Sequence, residues 1–120
     1  MARKPITPAL HGLIDYGFGV VNLGVPALLG LSGPARIIPA AWAVAQGTLN
    51  AFTDQRYAVR RVVPFATHGR LESFGLPTLA VTAVASGALK QPRARFFFAV
   101  LFAALVTNYF LTDYKATPEP

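Results

Sequence analysis

Cysteine is absent from this chain of 120 residues, and charged residues make up only 13% of it. Without cysteine there are no disulfides, no thiolate metal ligands and no cysteine nucleophile. A soluble domain usually carries about 25% charged residues, because a small domain has a large surface to cover. Here the hydrophobic share is 53% and the mean hydropathy is +0.44. The composition therefore predicts a single integral membrane domain, residues 1–120, whose main partner is the lipid bilayer.

The basic residues are spread along the chain and are not gathered in one stripe. The formal net charge is +6, but the eleven Lys and Arg lie at the ends of apolar segments. That distribution is typical of charges that flank membrane segments, and it argues against a nucleic-acid partner. The apolar segments predict helices over 8–31, 36–54, 65–89 and 96–113. Two of them are short beside the ~20 residues of a spanning helix, so we expect their polar ends near one membrane face.

Polar residues are scarce, and the chain places them twice in the same pattern. His11-Gly12-Leu13-Ile14-Asp15 and His68-Gly69-Arg70-Leu71-Glu72 both read His-Gly-x-x-acid and lie 57 residues apart. Thr-Asp pairs at 53–54 and 112–113 follow, 59 residues apart. The pattern predicts an all-α four-transmembrane-helix bundle built from two tandem helical-hairpin repeats, about 8–56 and 65–115.

An up-down-up-down bundle brings the motif ends of all four helices to the same side. Each His and its acid are four residues apart and therefore share a helix face. Imidazole and carboxylate are the ligand types of di-iron and di-manganese bundles, and four carboxylates would balance two divalent cations. We therefore expect a site for one or two ions of iron, manganese or zinc. Its predicted ligands are His11, Asp15, Asp54, His68, Glu72 and Asp113. Side chains expected around them are Tyr16, Asn50, Asn108 and Tyr109.

Two other interpretations stay open at this point. The same residues can form a hydrogen-bond and salt-bridge network in a structural or partner-binding membrane protein. Proton or ion translocation is the third option, since ionisable residues inside a membrane often mark ion pathways. If the chain is an enzyme, the metal would activate water or oxygen, and no substrate is indicated.

Charge also sets the expected orientation in the membrane. The N-terminus, the central loop and the C-terminus hold six or seven Lys and Arg, against four in the other two loops. The positive-inside rule then places both termini in the cytoplasm. Short helices and abundant glycine are compatible with a homodimer.

The motifs resemble the SPW-repeat family of small bacterial membrane proteins. The resemblance runs from residue 11 to about 114. Its matching residues are His11, Asp15, Tyr16, Thr53, Asp54, His68, Glu72, Thr112, Asp113 and Tyr114. The Ser-Pro-Trp tripeptide is absent, with Val25-Pro26-Ala27 and Thr82-Ala83-Val84 in its place. The resemblance implies a two-repeat, four-helix protein of the bacterial inner membrane.

Overall fold

The computed structural model describes residues 3–120 and contains four α-helices, with no strand in that range. The helices are α1 (Pro8–Leu28), α2 (Pro34–Ala51), α3 (Phe65–Ala85) and α4 (Pro92–Leu111), and a 3-10 turn at Ala88–Lys90 precedes α4. The predicted all-α fold with four helices is confirmed. Each predicted helix end lies two to four residues beyond the observed one.

Proline and threonine fix where the helices begin. The Thr7 hydroxyl accepts a hydrogen bond from the Leu10 amide at 3.2 Å and caps α1, whose first residue is Pro8. Helices α2 and α4 also begin with a proline, which suits the first turn because that position has no amide partner to lose. For this reason they start earlier than predicted, at Pro34 and Pro92.

Two short backbone pairings bring the helix ends together at one end of the molecule. Ile6, before α1, pairs with Thr112, after α4. Val63, before α3, pairs in the same parallel sense with Thr53, after α2. The starts of α1 and α3 therefore lie beside the ends of α4 and α2.

The opposite end holds the two helical turns. Gly30 and Gly87 adopt positive φ angles of 67° and 82° there, which glycine accommodates without a steric cost. The Gln91 side chain donates to the Ser32 carbonyl at 3.0 Å, and Arg93 donates to the Leu29 carbonyl at 3.1 Å. These contacts tie the two turns to one another.

Many large apolar side chains lie on the surface of the bundle. Those that are more than half exposed occur on every helix: Leu13, Val20, Leu23, Leu28, Ile37, Val44, Phe74, Val81, Val84, Phe96, Val100 and Phe110. The main apolar cluster draws mostly on α3, α4 and the turns. Within residues 3–120 one helix, α4, is long and apolar enough to cross a membrane.

Candidate metal centre

Four titratable side chains meet between α1 and α3. His11 and His68 are the fourth residues of their helices, and Asp15 and Glu72 follow one turn later on the same faces. Their exposed fractions are 0% for both histidines, 1% for Asp15 and 8% for Glu72. One donor atom from each lies within 4.8 Å of the other three. The structure thus brings together four of the six predicted ligands.

Five short distances join the four donor atoms. The two Nε2 atoms of His11 and His68 are 3.3 Å apart. Each lies 3.1 Å from Asp15 Oδ2. Glu72 Oε1 is 3.3 Å from His11 Nε2 and 3.1 Å from His68 Nε2. Donor atoms around a tetrahedral zinc ion with bonds of ~2.0–2.1 Å lie about 3.3–3.4 Å from one another, which is close to these five contacts.

Two threonine hydroxyls determine which imidazole nitrogen carries the proton. Thr53 Oγ1 lies 2.8 Å from His68 Nδ1, and Thr112 Oγ1 lies 2.8 Å from His11 Nδ1. Each hydroxyl donates its only proton to the helix carbonyl four residues earlier. It must therefore accept from Nδ1–H. In the neutral ring, this leaves the Nε2 lone pair directed at the cluster.

One of the four donor atoms, the Asp15 Oδ2 oxygen, forms no hydrogen bond. Asp15 Oδ2 is fully buried and lacks a hydrogen-bond partner, although both imidazole Nε2 atoms are 3.1 Å away. Proximity without hydrogen-bond geometry is uncommon for a buried carboxylate, because leaving such a group unpaired is costly. A cation at the centre of the cluster would satisfy this oxygen.

The two glycines of the His-Gly motifs make room for side chains that cover the cluster. A Cβ atom on Gly12 would lie 2.3 Å from Gln55 Oε1, and one on Gly69 would lie 2.6 Å from the Tyr114 ring. Tyr114 donates a hydrogen bond to Glu72 Oε2. Burial and the Glu72 carboxylate raise the pKa of the Tyr114 phenol far above its usual value. The phenol therefore keeps its proton and remains a donor.

The four side chains expected around the ligands divide into two pairs. Asn50 donates to the Gly12 carbonyl at 2.8 Å, and Asn108 Nδ2 lies 3.5 Å from Asp15 Oδ1. Both asparagines therefore lie beside the cluster. Tyr16 instead donates to the carbonyl of Tyr57 in an exposed contact.

Tyr109 contacts the Tyr114 ring and lies farther from the ligands than Tyr114 does. Its ring centroid is 5.4 Å from that of Tyr114, and it packs against the apolar core. Neither Tyr16 nor Tyr109 has a hydrogen bond to a cluster residue in the described chain.

The structure does not bring Asp54 and Asp113 into the cluster, which corrects their prediction as ligands. Asp54 forms an ion pair with Arg61 at the surface, and Asp113 accepts from the Lys115 amide at 3.2 Å in an exposed position. The helices end before these residues, and Thr112 has extended backbone angles. Because successive side chains of an extended segment point to opposite sides, an inward Thr112 turns Asp113 outward.

The sequence interpretation gives no ligand or supporting role to three residues that the structure buries beside the cluster. They are Thr53, Gln55 and Thr112. The signal was present in the spacing, since the Thr-Asp-x segments at 53–55 and 112–114 recur 59 residues apart.

No family model, curated protein or solved structure matches this chain.

Proposed function

We propose that this protein binds one divalent metal ion between His11, Asp15, His68 and Glu72. The five contacts of 3.1–3.3 Å among their donor atoms carry the proposal. Metal binding requires both imidazoles in the neutral form, and with the two carboxylates the pocket then has a charge of −2. A divalent cation balances that charge, whereas a buried set of uncompensated carboxylates is costly.

The donor set favours zinc over calcium and magnesium. Zinc takes four nitrogen and oxygen ligands in tetrahedral geometry at about 2.0–2.2 Å. Calcium takes six to eight oxygens at about 2.3–2.6 Å, and magnesium prefers octahedral sites that keep several waters. Four converging donors with two imidazoles suit neither of them.

The closed donor set supports a structural role for the metal. Catalytic zinc sites keep one position for water or substrate, whereas structural sites have four protein ligands. Here four side chains converge from two helices, and Gln55 and Tyr114 pack against the glycines beside them. The metal would therefore join the first helical hairpin to the second.

We further propose that the four helices span a membrane as two tandem hairpin repeats. Large apolar side chains face outward on all four helices, while several polar side chains, among them His11, Asp15, Asn22, Gln46, Asn50, His68, Glu72 and Asn108, are buried. The helices have 18 to 21 residues, about 27–32 Å, near the ~30 Å hydrocarbon core. The excess of basic residues near the motif end supports cytoplasmic termini.

Contacts at matching positions support the repeat. Ile6 and Val63 are 57 residues apart and make equivalent pairings, as do Thr53 and Thr112 at a separation of 59. The motifs behind the SPW-repeat resemblance supply all four cluster residues, which supports that relationship as a proposal.

Elemental analysis of the detergent-purified protein tests the metal site. After equilibration with equal concentrations of zinc, iron(II) and manganese, we expect one zinc per chain. His68→Gln should reduce bound zinc at least tenfold while circular dichroism shows unchanged helix content. Asp54→Asn is the matched control and should keep its zinc. Wild-type protein without metal, and with a melting temperature that zinc does not change, would contradict the proposal.

Membrane fractionation tests the second proposal separately. The chain should stay in the membrane pellet after an alkaline carbonate wash. A cysteine placed at the exposed loop residue Val59 should react with a membrane-impermeant thiol reagent only after the cells are opened. Release by carbonate would contradict membrane insertion and leave the metal measurement unaffected.

A further inference from the structure

An apolar groove runs along the outer surface between α1 and α4. It encloses about 340 Å³. Its lining comes from one face of α1, residues Phe18, Val21, Val25 and Leu29, and from the facing side of α4, from Phe96 to Ala104. The groove exists because α1 packs much more extensively on α2 than on α4.

The groove has the length of one membrane leaflet. The α1 residues that line it are spaced three, four and four apart, so they form one continuous helix face. From Phe18 to Leu29 the helix rises about 16 Å at 1.5 Å per residue. One leaflet of a ~30 Å hydrocarbon core is about 15 Å. The groove starts at the turn end of the molecule and reaches about the middle of the proposed membrane.

A positive charge stands at the mouth of this groove. Arg93 is exposed and donates to the carbonyl of Leu29, the groove residue that directly follows α1. The turn end also carries Arg36, Lys90 and Arg95, and none of the five acids of the sequence lies there. The mouth therefore has uncompensated positive charge directly beside an apolar slot.

We propose that this groove binds one acyl chain of an anionic phospholipid whose phosphate contacts Arg93. The slot is apolar throughout, which suits a hydrocarbon chain, and the arginine at its mouth suits a phosphate. Guanidinium groups near a membrane surface attract anionic lipids, with each contributing about 1 kcal/mol, or about fivefold in affinity. This inference rests on the proposed membrane location and does not depend on the metal.

Native mass spectrometry of the full chain in detergent tests the lipid site. The probes are dioleoyl phosphatidylglycerol and dioleoyl phosphatidylcholine at equal concentrations. We expect one phosphatidylglycerol per chain in preference to phosphatidylcholine. Arg93→Gln should weaken phosphatidylglycerol binding about fivefold. Arg36→Gln removes the same charge from α2, whose residues do not line the groove, and should change binding less than twofold.

A second pair of variants tests the groove itself. Ala104→Phe fills its inner end and should abolish the bound lipid. Ala103→Phe adds the same ring to the adjacent exposed position outside the groove and should leave binding intact. If Ala104→Phe does not fold, Val21→Phe fills the groove from α1.

Two outcomes would overturn this inference. One is equal binding of the two lipids. The other is a dimer in which disulfide cross-links join Ala104→Cys of one copy to Ala104→Cys of another, because a second copy would then occupy the groove. A chain that fails the carbonate wash contradicts the membrane proposal, whereas one that passes it without a lipid preference contradicts the lipid site alone.

Discussion

Replacing Thr112 by valine tests whether the threonine hydroxyls hold the imidazoles for a metal. The hydroxyl is 2.8 Å from His11 Nδ1 and is fully buried. Valine has nearly the same shape but accepts no hydrogen bond, so the buried Nδ1–H loses its partner and the ring its fixed orientation. Leaving a buried donor unpaired costs about 1–3 kcal/mol. Loss of the hydrogen-bond partner of a ligating histidine typically lowers metal affinity about 10- to 100-fold.

A competition titration with a zinc-binding dye measures this loss on the detergent-purified protein. Thr107→Val is a matched control, because Thr107 lies near the end of α4 and its hydroxyl donates to the Ala103 carbonyl at 2.6 Å without touching a histidine. We expect Thr107→Val to bind zinc like the wild type. The reasoning is refuted if Thr112→Val keeps wild-type affinity, or if both variants lose affinity equally.

Three further predictions concern stability and the site's composition. Removing zinc by chelation should lower the melting temperature of the wild type but not of His68→Gln, since a ligand at 100 times its Kd contributes about 2.7 kcal/mol; equal shifts would refute this. Gly69→Ala should destabilise the fold by about 1–3 kcal/mol, because its Cβ meets an aromatic ring at 2.6 Å. Gly17→Ala should not destabilise the fold, because nothing lies within 4 Å of its Cβ. Equal melting temperatures of the two variants would count against the contact between Gly69 and the Tyr114 ring. Asp54→Asn should change the unfolding free energy by less than about 1 kcal/mol, because the ion pair of Asp54 with Arg61 is exposed. A larger loss of stability in a denaturant titration would contradict this.

The sequence predicted the four cluster residues because their spacing depends only on helix geometry. An i, i+4 pair shares a face in any α-helix, and both members of each pair, His11 with Asp15 and His68 with Glu72, lie within their helix. Small errors in the helix ends do not change which face these pairs occupy. The number of helices was equally predictable from the four apolar segments, because small errors in the segment ends do not change how many segments there are.

The aspartates were assigned wrongly because their orientation depends on the residue at which a helix ends. The prediction extended the second and fourth helices to 54 and 113, whereas they end at Ala51 and Leu111. Thr112 has extended backbone angles, so the side chains of Thr112 and Asp113 face opposite sides. Thr112 and Tyr114 then face inward and Asp113 faces outward. An error of two residues at the helix end was enough to exchange the inward and outward sets.

The contacts of the imidazoles show why neither hairpin can build this cluster alone. His11 belongs to the first hairpin, but its Nδ1 contacts Thr112 at the end of the second. His68 belongs to the second and contacts Thr53 at the end of the first. The metal donors are likewise shared, two from each hairpin. Docking of the hairpins therefore orients both rings before a metal arrives. With both imidazoles neutral, the pocket and a divalent ion have equal and opposite charges, so the ion offsets the cost of burying two carboxylates. Metal binding and hairpin docking therefore stabilise each other.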